Sequence, residues 1–492
     1  MPWLTKSRFT AGLQCPKRLW NEVHDPLVEA QPDSMAFMNG RAVDRLAQTF
    51  APGPVVSRER GMPAAIAETS RLLRERTSGD GASRVLYQPA FRAGDLAVVA
   101  DVLRIDGNQA TLVEVKASTG VKPEHLADVG YQTMVLRQCR LPIERVMVAH
   151  VDNRFVLARR GDYAGLIVEQ DVTNEVEEAL PQIAESAAAL QEVMAGARPV
   201  VPIGAHCSKP YECPFTDRCK AEHGATPEYP VDLLPWGGKT VKSLLAAGHR
   251  DLAQVPAELL TRENHQRIHQ ATVSGEPYFD TAATAGLRQF TYPLAHLDFE
   301  TISQAVPEVV GTRPYEAIPF QWSVHVEESA GSVRHAEFLA VDAFGDFGAL
   351  ADALLASLPD SGPVFAYNAS FEHGRLDWLA DRLPARANAL REVAGRLVDL
   401  LPITRAAYYH RDMKGSYSIK DVLPTIDPAL DYDSLSEVRE GDGAQLAFLQ
   451  LRSGALGPER AETIRSALLE YCKRDSWALV VLRRFLCGEA LP

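Results

Sequence analysis

Two sets of acidic residues and one set of thiols are spaced so that each could hold a cation. Asp101 closes the apolar run LAVVAD, and Glu114-Val115-Lys116 lies in the next such run, ATLVEVKAS. Two carboxylates meeting at one sheet edge offer hard oxygen ligands to Mg²⁺ or Mn²⁺, and such an ion orients and acidifies a water aimed at phosphorus. Lys116, a point charge beside them, would stabilise the negative charge of a phosphorane or position the water. In HLDFET, Asp298 and Glu300 stand at i and i+2, on one face of a strand. Glu372 ends YNASFE, a strand passing into a helix, and Tyr471 and Asp475 stand four apart on one face of a helix. Four carboxylates from two strands and two helices can thus converge on a metal pair. Cys207, Cys213 and Cys219 form C-x5-C-x5-C in a proline-punctuated stretch, and Cys15 lies far upstream in LQCPKRLW, which makes a four-thiol set. Cys139, Cys472 and Cys487 fall in apolar helical surroundings and read as small buried hydrophobes.

The elements that must position these groups follow from apolar periodicity and breaker residues. Amphipathic helices are expected around 35–49 and 64–77, then strands over 85–91, 96–105 and 110–118, broken at Gly94 and at Asp106-Gly107 as in a meander. A helix over about 122–139 and a strand over 145–151 complete an α-β-β-β-α-β order, and a long helix, roughly 173–196, leads into the cysteine stretch. Residues 223–290 change character, with Pro, Gly and short helical pieces, and read as a connector. Strand patterning restarts at 291 with LAHLDFET, PFQWSVHVEE and VRHAEFLAVD. A helix near 346–357, the strand GPVFAYN, a helix from about 371 and a last helix over about 461–486 follow. The expected fold class is therefore α/β (α+β) and multidomain, with domains 1–222, 223–290 and 291–492.

The strand-borne D…ExK of Asp101, Glu114 and Lys116 resembles the PD-(D/E)XK nuclease motif of restriction-endonuclease-like domains. With LTKSRFTAGLQCPKRLW upstream and C-x5-C-x5-C downstream, residues 1–222 resemble the RecB-like branch found in CRISPR-associated exonucleases and AddB-type repair nucleases. That resemblance implies that Cys15, Cys207, Cys213 and Cys219 hold a [4Fe–4S] cluster tying the ends of the domain together. Zn²⁺ is the rival, since four thiolates also suit a tetrahedral ion. It also implies a role for Gln132, which matches the family's glutamine, whereas Leu136 replaces the family's tyrosine. Asp44 stands where the family's G-x-x-x-H helix carries a histidine ligand, and could itself ligate a metal. Asp298-x-Glu300, the NASFE of 368–372 and Tyr471-x3-Asp475, in that order, resemble the D-x-E, N-x-x-F-D and Y-x3-D motifs of the DnaQ-like (DEDD) exonucleases of the RNase H fold. By that resemblance Asp298, Glu300 and Asp475 bind two metals, Tyr471 orients the attacking water, and Glu372 replaces the usual second aspartate. In the join, PWGGKT resembles a helix-hairpin-helix, with Trp236 at a position that is often glycine, and Lys239-Thr240 would open a helix able to bind a phosphate. A structural linker is the alternative reading. The chain as a whole resembles a bacterial-type family that fuses a RecB-like iron–sulfur nuclease to a DnaQ-like exonuclease. Arg313, Tyr315 and Lys414 lie in stretches resembling that family's C-terminal part.

Composition bounds these readings. Hydrophobic content is 46%, charged content 23% and aromatics 8%, which sets aside disorder, collagen and coiled coil. No apolar run reaches the ~18 residues of a membrane span, and Met1–Thr10 carries Lys6 and Arg8 with no apolar stretch behind them, so a soluble, unsecreted, cytoplasmic protein is expected. Seven cysteines argue against a disulfide framework. The net charge of −13 opposes non-specific coating of a polyanion but leaves room for a local basic groove. Residues 1–222 hold 26 basic against 28 acidic side chains, so the acidic excess belongs to the C-terminal part. The expected partner is DNA, with RNA the alternative substrate and catalytically weak DNA-end binding a third reading. Protein partners are not legible.

Overall fold

Asp106-Gly107 is where the N-terminal sheet turns back on itself. Gly107 has φ +57° and Asp106 pairs with Gln109, so a two-residue loop joins two antiparallel strands. The computed structural model describes residues 2–27, 34–74, 84–222, 227–342, 344–432, 435 and 437–491. Its elements divide into two units, Met1–Ala225 with Gln304–Glu316, and Thr226–Ser303 with Ala317–Pro492. The architecture is mixed α/β with several sheets. No helix among the described residues is long and apolar enough to cross a membrane.

The N-terminal unit runs β1 (Leu4–Thr5), α1 (Lys6–Gln14), α2 (Pro16–His24), α3 (Met35–Ala47), α4 (Met62–Arg74), β2 (Arg84–Tyr87), β3 (Ala90–Ala93), β4 (Leu96–Val99), β5 (Val102–Asp106), β6 (Gln109–Lys116), α5 (Pro123–Gln138), β7 (Ile143–Val151), β8 (Ile167–Asp171), α6 (Thr173–Ala195) and α7 (Thr216–Glu222). The expected end of the second amphipathic helix, 75–77, lies outside the described residues. The main sheet has the order β2-β5-β6-β7-β8, and only its β6–β7 pair, joined across by α5, is parallel. Two expected strands are corrected. Residues 85–91 break at Gln88, whose φ is +54°, and at Pro89, which lacks the N–H a ladder needs. Residues 96–105 divide at Ala100-Asp101 into β4 and β5, which belong to different sheets, because β4 pairs with β1 and β3 instead. Helix α5 is buried from Asp128 to Leu136, so it shows none of the two-faced patterning of a surface helix. Gly130 lets α6 approach it closely, since a Cβ there would come 2.3 Å from Ile183 Cδ1. Residues 304–316 pack on the N-terminal unit through buried Ala305, whose N–H donates to Asn39 Oδ1 at 2.8 Å, and through the Tyr315 hydroxyl, which donates to the Ala117 carbonyl.

The C-terminal unit contains α8 (Gly238–Ala246), α9 (Glu263–Ser274), β9 (Tyr278–Phe279), β10 (Leu294–Ile302), β11 (Ile318–Ser329), β12 (Ser332–Leu339), α10 (Phe347–Ser357), β13 (Val364–Ala366), α11 (Ser370–Arg382), α12 (Ala387–Gly395), β14 (Leu397–Asp399), α13 (Leu400–Ala407), β15 (Tyr408–Tyr409), α14 (Ile419–Val422), α15 (Gly441–Arg452) and α16 (Pro458–Cys487). Its sheet has the order β12-β11-β10-β13-β14, antiparallel on the β11–β12 side and parallel where β10, β13 and β14 meet. β10 is therefore central, and its residues 294–297 are all buried. The long α16 is buried from Ala478 to Arg484 and at Tyr471, Cys472 and Asp475. Most of the stretch read as a connector, including α8 and α9, clusters with this unit, where Leu234, Leu244, Leu252 and Ile268 share its core.

Candidate active sites

Strand alternation turns Asp298 and Glu300 to one face of β10, and helical spacing turns Tyr471 and Asp475 to one face of α16. Ligand oxygens of Asp298, Glu300 and Asp475 all lie within 4.8 Å of one another. They line a cavity of about 320 Å³ together with Tyr367, Phe371, Lys420, Gln445 and Tyr471. Burial comes first in raising the affinity of Asp298, Glu300 and Asp475 for protons. Mutual repulsion adds to it for Asp298 and Glu300, whereas Asp475 is pushed only to about 6 because Tyr432, Tyr471 and Lys420 favour its charged form. Glu372, near the N-terminus of α11, stands outside this tightest group but acts on both Asp298 and Glu300. It is 3% exposed, its Oε2 has no hydrogen-bond partner among the described residues, and burial together with Asp399 pushes it up to about 8.

Four further residues at this site were not legible in the sequence. Lys420 Nζ donates to Tyr471 Oη at 3.0 Å and to the Arg439 carbonyl at 2.7 Å. The Tyr432 hydroxyl donates to Asp475 Oδ1. Cys472 is buried as expected, yet its thiol is more than packing, since Sγ donates to Asp298 Oδ2 at 3.4 Å. Asp399 accepts from the Asn368 and Leu401 N–H groups, each at 2.9 Å, and so fixes the turn that enters α11. The i+1 spacing of Cys472 to Tyr471 was the one available local signal. Tyr432 and Asp399 carry no motif of their own, and Lys420 shares the stretch of Lys414, where no role was legible for it.

Acid groups that hold protons more tightly when folded weaken the native state as pH rises. The native state binds more protons than the unfolded chain between the ordinary carboxyl value and the raised one, so stability falls across that window. For Glu372 the window runs from 4.5 to about 8. Glu372→Gln should therefore raise the melting temperature of metal-free protein at pH 8 by ~2–4 °C or more and leave it unchanged below pH 4.5. Equal melting curves at both pH values would show that the carboxyl is not strained by its burial.

In the N-terminal unit Asp101 sits in the break between β4 and β5, and its Oδ2 accepts the Val115 N–H at 2.9 Å, which seats it beside the ExK strand. Glu114, 1% exposed, receives Lys6 Nζ at 2.8 Å and Lys116 Nζ at 2.6 Å on Oε1, and Gln132 Nε2 at 2.6 Å on Oε2. Burial would raise its pKa, but the two ammonium groups outweigh burial and hold it well below the carboxylate range. Asp101 goes the other way, pushed to about 7 by burial and by Glu114. Asp44 is raised by burial and by Glu114, and it acts in turn on Asp101, so it belongs to this group. Lys6 and Asp128, the latter ion-paired with Lys116, are the residues sequence reasoning missed here. Asp128 precedes Gln132 by one helical turn, a spacing that could have signalled it.

Cys15 ends α1 and begins α2. Gln14 Nε2 reaches across to the His206 and Tyr211 carbonyls at 2.7 and 2.6 Å, and the Cys213 N–H donates to the Cys207 carbonyl at 2.7 Å. The Cys213 thiol is raised by burial and senses both Cys15 and Cys207, and Lys17 senses Cys219. None of the four is in a disulfide with another described cysteine. Cys139, expected to be buried, is half-buried, its Sγ on the Arg92 carbonyl at 3.3 Å. Trp236 is 64% exposed, with φ +51° and the Arg405 guanidinium 5.1 Å from its ring. Lys239 and Thr240 do lie in the first turn of α8.

Comparison with known proteins places these sites in sequence space. Residues 295–418 match a family model described as a domain of unknown function, DUF2779. The match includes Asp298, Glu300 and Glu372 and stops short of Tyr471 and Asp475. The "Uncharacterized protein MG366 homolog" of Mycoplasma pneumoniae is 29% identical over 210 residues, covering 39% of this chain and 32% of its own. "Uncharacterized protein MG366" of Mycoplasma genitalium is 24% identical over 210 residues, covering 39% and 31%. The chain thus spans about a third of the length of these curated relatives. The solved structure titled "Crystal structure of SSO0001" is 15% identical and covers 43% of this chain and 85% of that one, with a TM-score of 0.19, a superposition that defines no shared fold.

Proposed function

We propose that this chain is a metal-dependent nuclease that hydrolyses phosphodiester bonds of DNA, at ends or in single strands, with one acidic site in each unit. The N-terminal unit is read as a RecB-like PD-(D/E)XK domain and the C-terminal unit as a DnaQ-like exonuclease domain of the RNase H fold. The observation that carries the proposal is the convergence of Asp298, Glu300 and Asp475 beside Tyr471 in one cavity. The donor set suits a hard divalent cation. It is all oxygen, its carboxylates are held away from their charged forms by burial, and Glu372 Oε2 is a buried acceptor without a donor among the described residues. Asp298, Glu300 and Asp475 would hold Mg²⁺ or Mn²⁺, with Glu372 reaching in. When bound, such ions supply an acidified water and neutralise charge on the phosphoryl group. Tyr471, kept protonated by burial and by the surrounding carboxylates, positions the attacking water. Lys420 holds the Tyr471 hydroxyl and places one positive charge at the wall of an acidic cavity. Asp101 and Glu114 would bind the ion of the N-terminal site, with Gln132 fixing Glu114 and Lys116 facing the phosphate.

End-labelled single-stranded DNA, duplex DNA and RNA, each incubated with Mg²⁺, Mn²⁺ or EDTA, test the reading. Metal-dependent release of nucleotides from DNA is expected. Cleavage of RNA alone would reassign the substrate, and no cleavage of any substrate would refute nuclease activity.

For Cys15, Cys207, Cys213 and Cys219 the soft donor set suits a [4Fe–4S] cluster, with Zn²⁺ as the alternative. Anaerobically purified protein is expected to carry iron and sulfide, and Cys213→Ser to lose them and to lower the melting temperature of the N-terminal unit. Stoichiometric zinc without iron would decide for zinc.

A further inference from the structure

Lys6 opens α1, and its ammonium lies 2.8 Å from Glu114 Oε1 and 3.9 Å from Asp128 Oδ1. Lys116 reaches the same Glu114 oxygen at 2.6 Å and also pairs with Asp128. Two ammonium groups therefore share one carboxylate oxygen, on the residue that the nuclease reading makes a metal ligand. They repel each other, and only the acidic groups around them hold both in place. Lys116 is tied to its strand two residues from Glu114. Lys6 comes from 108 residues away, and its side-chain partners among the described residues all belong to this acidic group.

The backbone beneath Lys6 is well fixed. Thr5 caps α1, accepting the Arg8 N–H. β1 pairs with β4, the Tyr131 hydroxyl donates to the Leu4 carbonyl, and Phe9 stacks on Tyr131 with ring centroids 4.6 Å apart. The lysine head is a compact charge on a four-carbon stem, and its side chain keeps 27% exposure where Glu114 keeps 1%. An ammonium so placed occupies a cation position and is the more solvent-accessible member of the pair.

We propose that Lys6 is a second cationic residue of the N-terminal site: it neutralises Glu114 in the metal-free protein, yields that oxygen when a divalent ion binds, and then contacts a non-bridging oxygen of the substrate phosphate. The proposal rests on the nuclease reading of this unit. It differs from a structural ion pair in sign, because a placeholder competes with metal whereas a structural pair would support the metal ligand.

The test uses the full chain carrying Asp298→Ala and Asp475→Ala, so that metal binding and cleavage report the N-terminal site. Mn²⁺ binding is measured by calorimetry and by electron paramagnetic resonance. Lys6→Met should tighten Mn²⁺ binding on the order of tenfold, the scale of one nearby like charge removed from a partly buried site. At saturating Mn²⁺ the same variant should cleave DNA more slowly, with KM for DNA raised. Lys6→Gln, which keeps a donor to Glu114 without the charge, should tighten Mn²⁺ in the same way, and Lys6→Arg should restore KM. Unchanged or weaker Mn²⁺ binding in both uncharged variants would overturn the proposal while leaving the nuclease reading intact. Failure of the parent protein to bind Mn²⁺ or cleave DNA would overturn that reading, and this inference with it.

Discussion

Asp298→Ala is expected to abolish release of terminal nucleotides by the C-terminal site, by about a thousandfold or more, since several kcal/mol of charge stabilisation are lost with a metal ligand. Asp298 offers one of three carboxylates that converge within 4.8 Å, and it comes from the central strand of the sheet. The fold should survive the change. The removed carboxylate is one that burial and three acidic neighbours already disfavour, and the lost partner is a single weak donor, Cys472 Sγ. Melting temperature without metal should stay level or rise, while the increment produced by Mn²⁺ should shrink, because an ion that binds only the folded state stabilises it in proportion to its affinity. Nucleotide release from end-labelled DNA, measured beside metal-dependent melting, checks both. A variant with full activity and an unchanged Mn²⁺ increment would remove Asp298 from the site.

Lys116→Ala should lower cleavage by the N-terminal site by about 10²–10³-fold, the loss typical of one preorganised charge-stabilising donor. Its ammonium lies on Glu114 and Asp128 with 22% side-chain exposure, and after truncation Lys6 still neutralises Glu114. The two sites share no residue and their ligands belong to different units, so their defects should add. Asp298→Ala should spare cleavage that depends on Asp101 and Lys116, Lys116→Ala should spare the other activity, and the double variant should be inert. If either single variant erases every activity on every substrate, a composite mechanism must replace the two-site reading. Glu372→Asp is the companion measurement. The shorter stem moves the carboxyl back toward the start of α11, and a raised rate would show that the glutamate's reach limits the C-terminal site.

Local spacing carried much of the candidate chemistry. D-x-E on a strand and Y-x3-D on a helix put their side chains on one face whatever the fold, and β10 and α16 follow that pattern. The Asp-Gly turn between β5 and β6 was legible for the same reason, since glycine is the residue that takes a positive φ at no steric cost. The reading strayed over 85–91 for a local reason, the break at Gln88-Pro89, whereas for 96–105 the cause lay in long-range pairing. Residues 96–105 keep a strand's periodicity throughout, and nothing in that periodicity says that β4 will pair with β1 while β5 pairs with β2 and β6.

The sequence by itself determined the type of the main helices and strands around the acidic residues, the faces on which those residues stand and the unequal spread of charge, because each depends on residues within a turn or two of one another. Only the tertiary structure decided which groups meet those acids. Lys6 reaches Glu114 across 108 residues, Lys420 reaches Tyr471 across 51 and Tyr432 reaches Asp475 across 43, and residues 304–316 leave the sequence between β10 and β11 to pack on the N-terminal unit. A lysine or tyrosine in a loop has the same local pattern whether it faces water or a carboxylate. Its partner is chosen when packing of the two cores closes those long loops, an entropic cost borne by the buried apolar surface of many residues rather than by any motif.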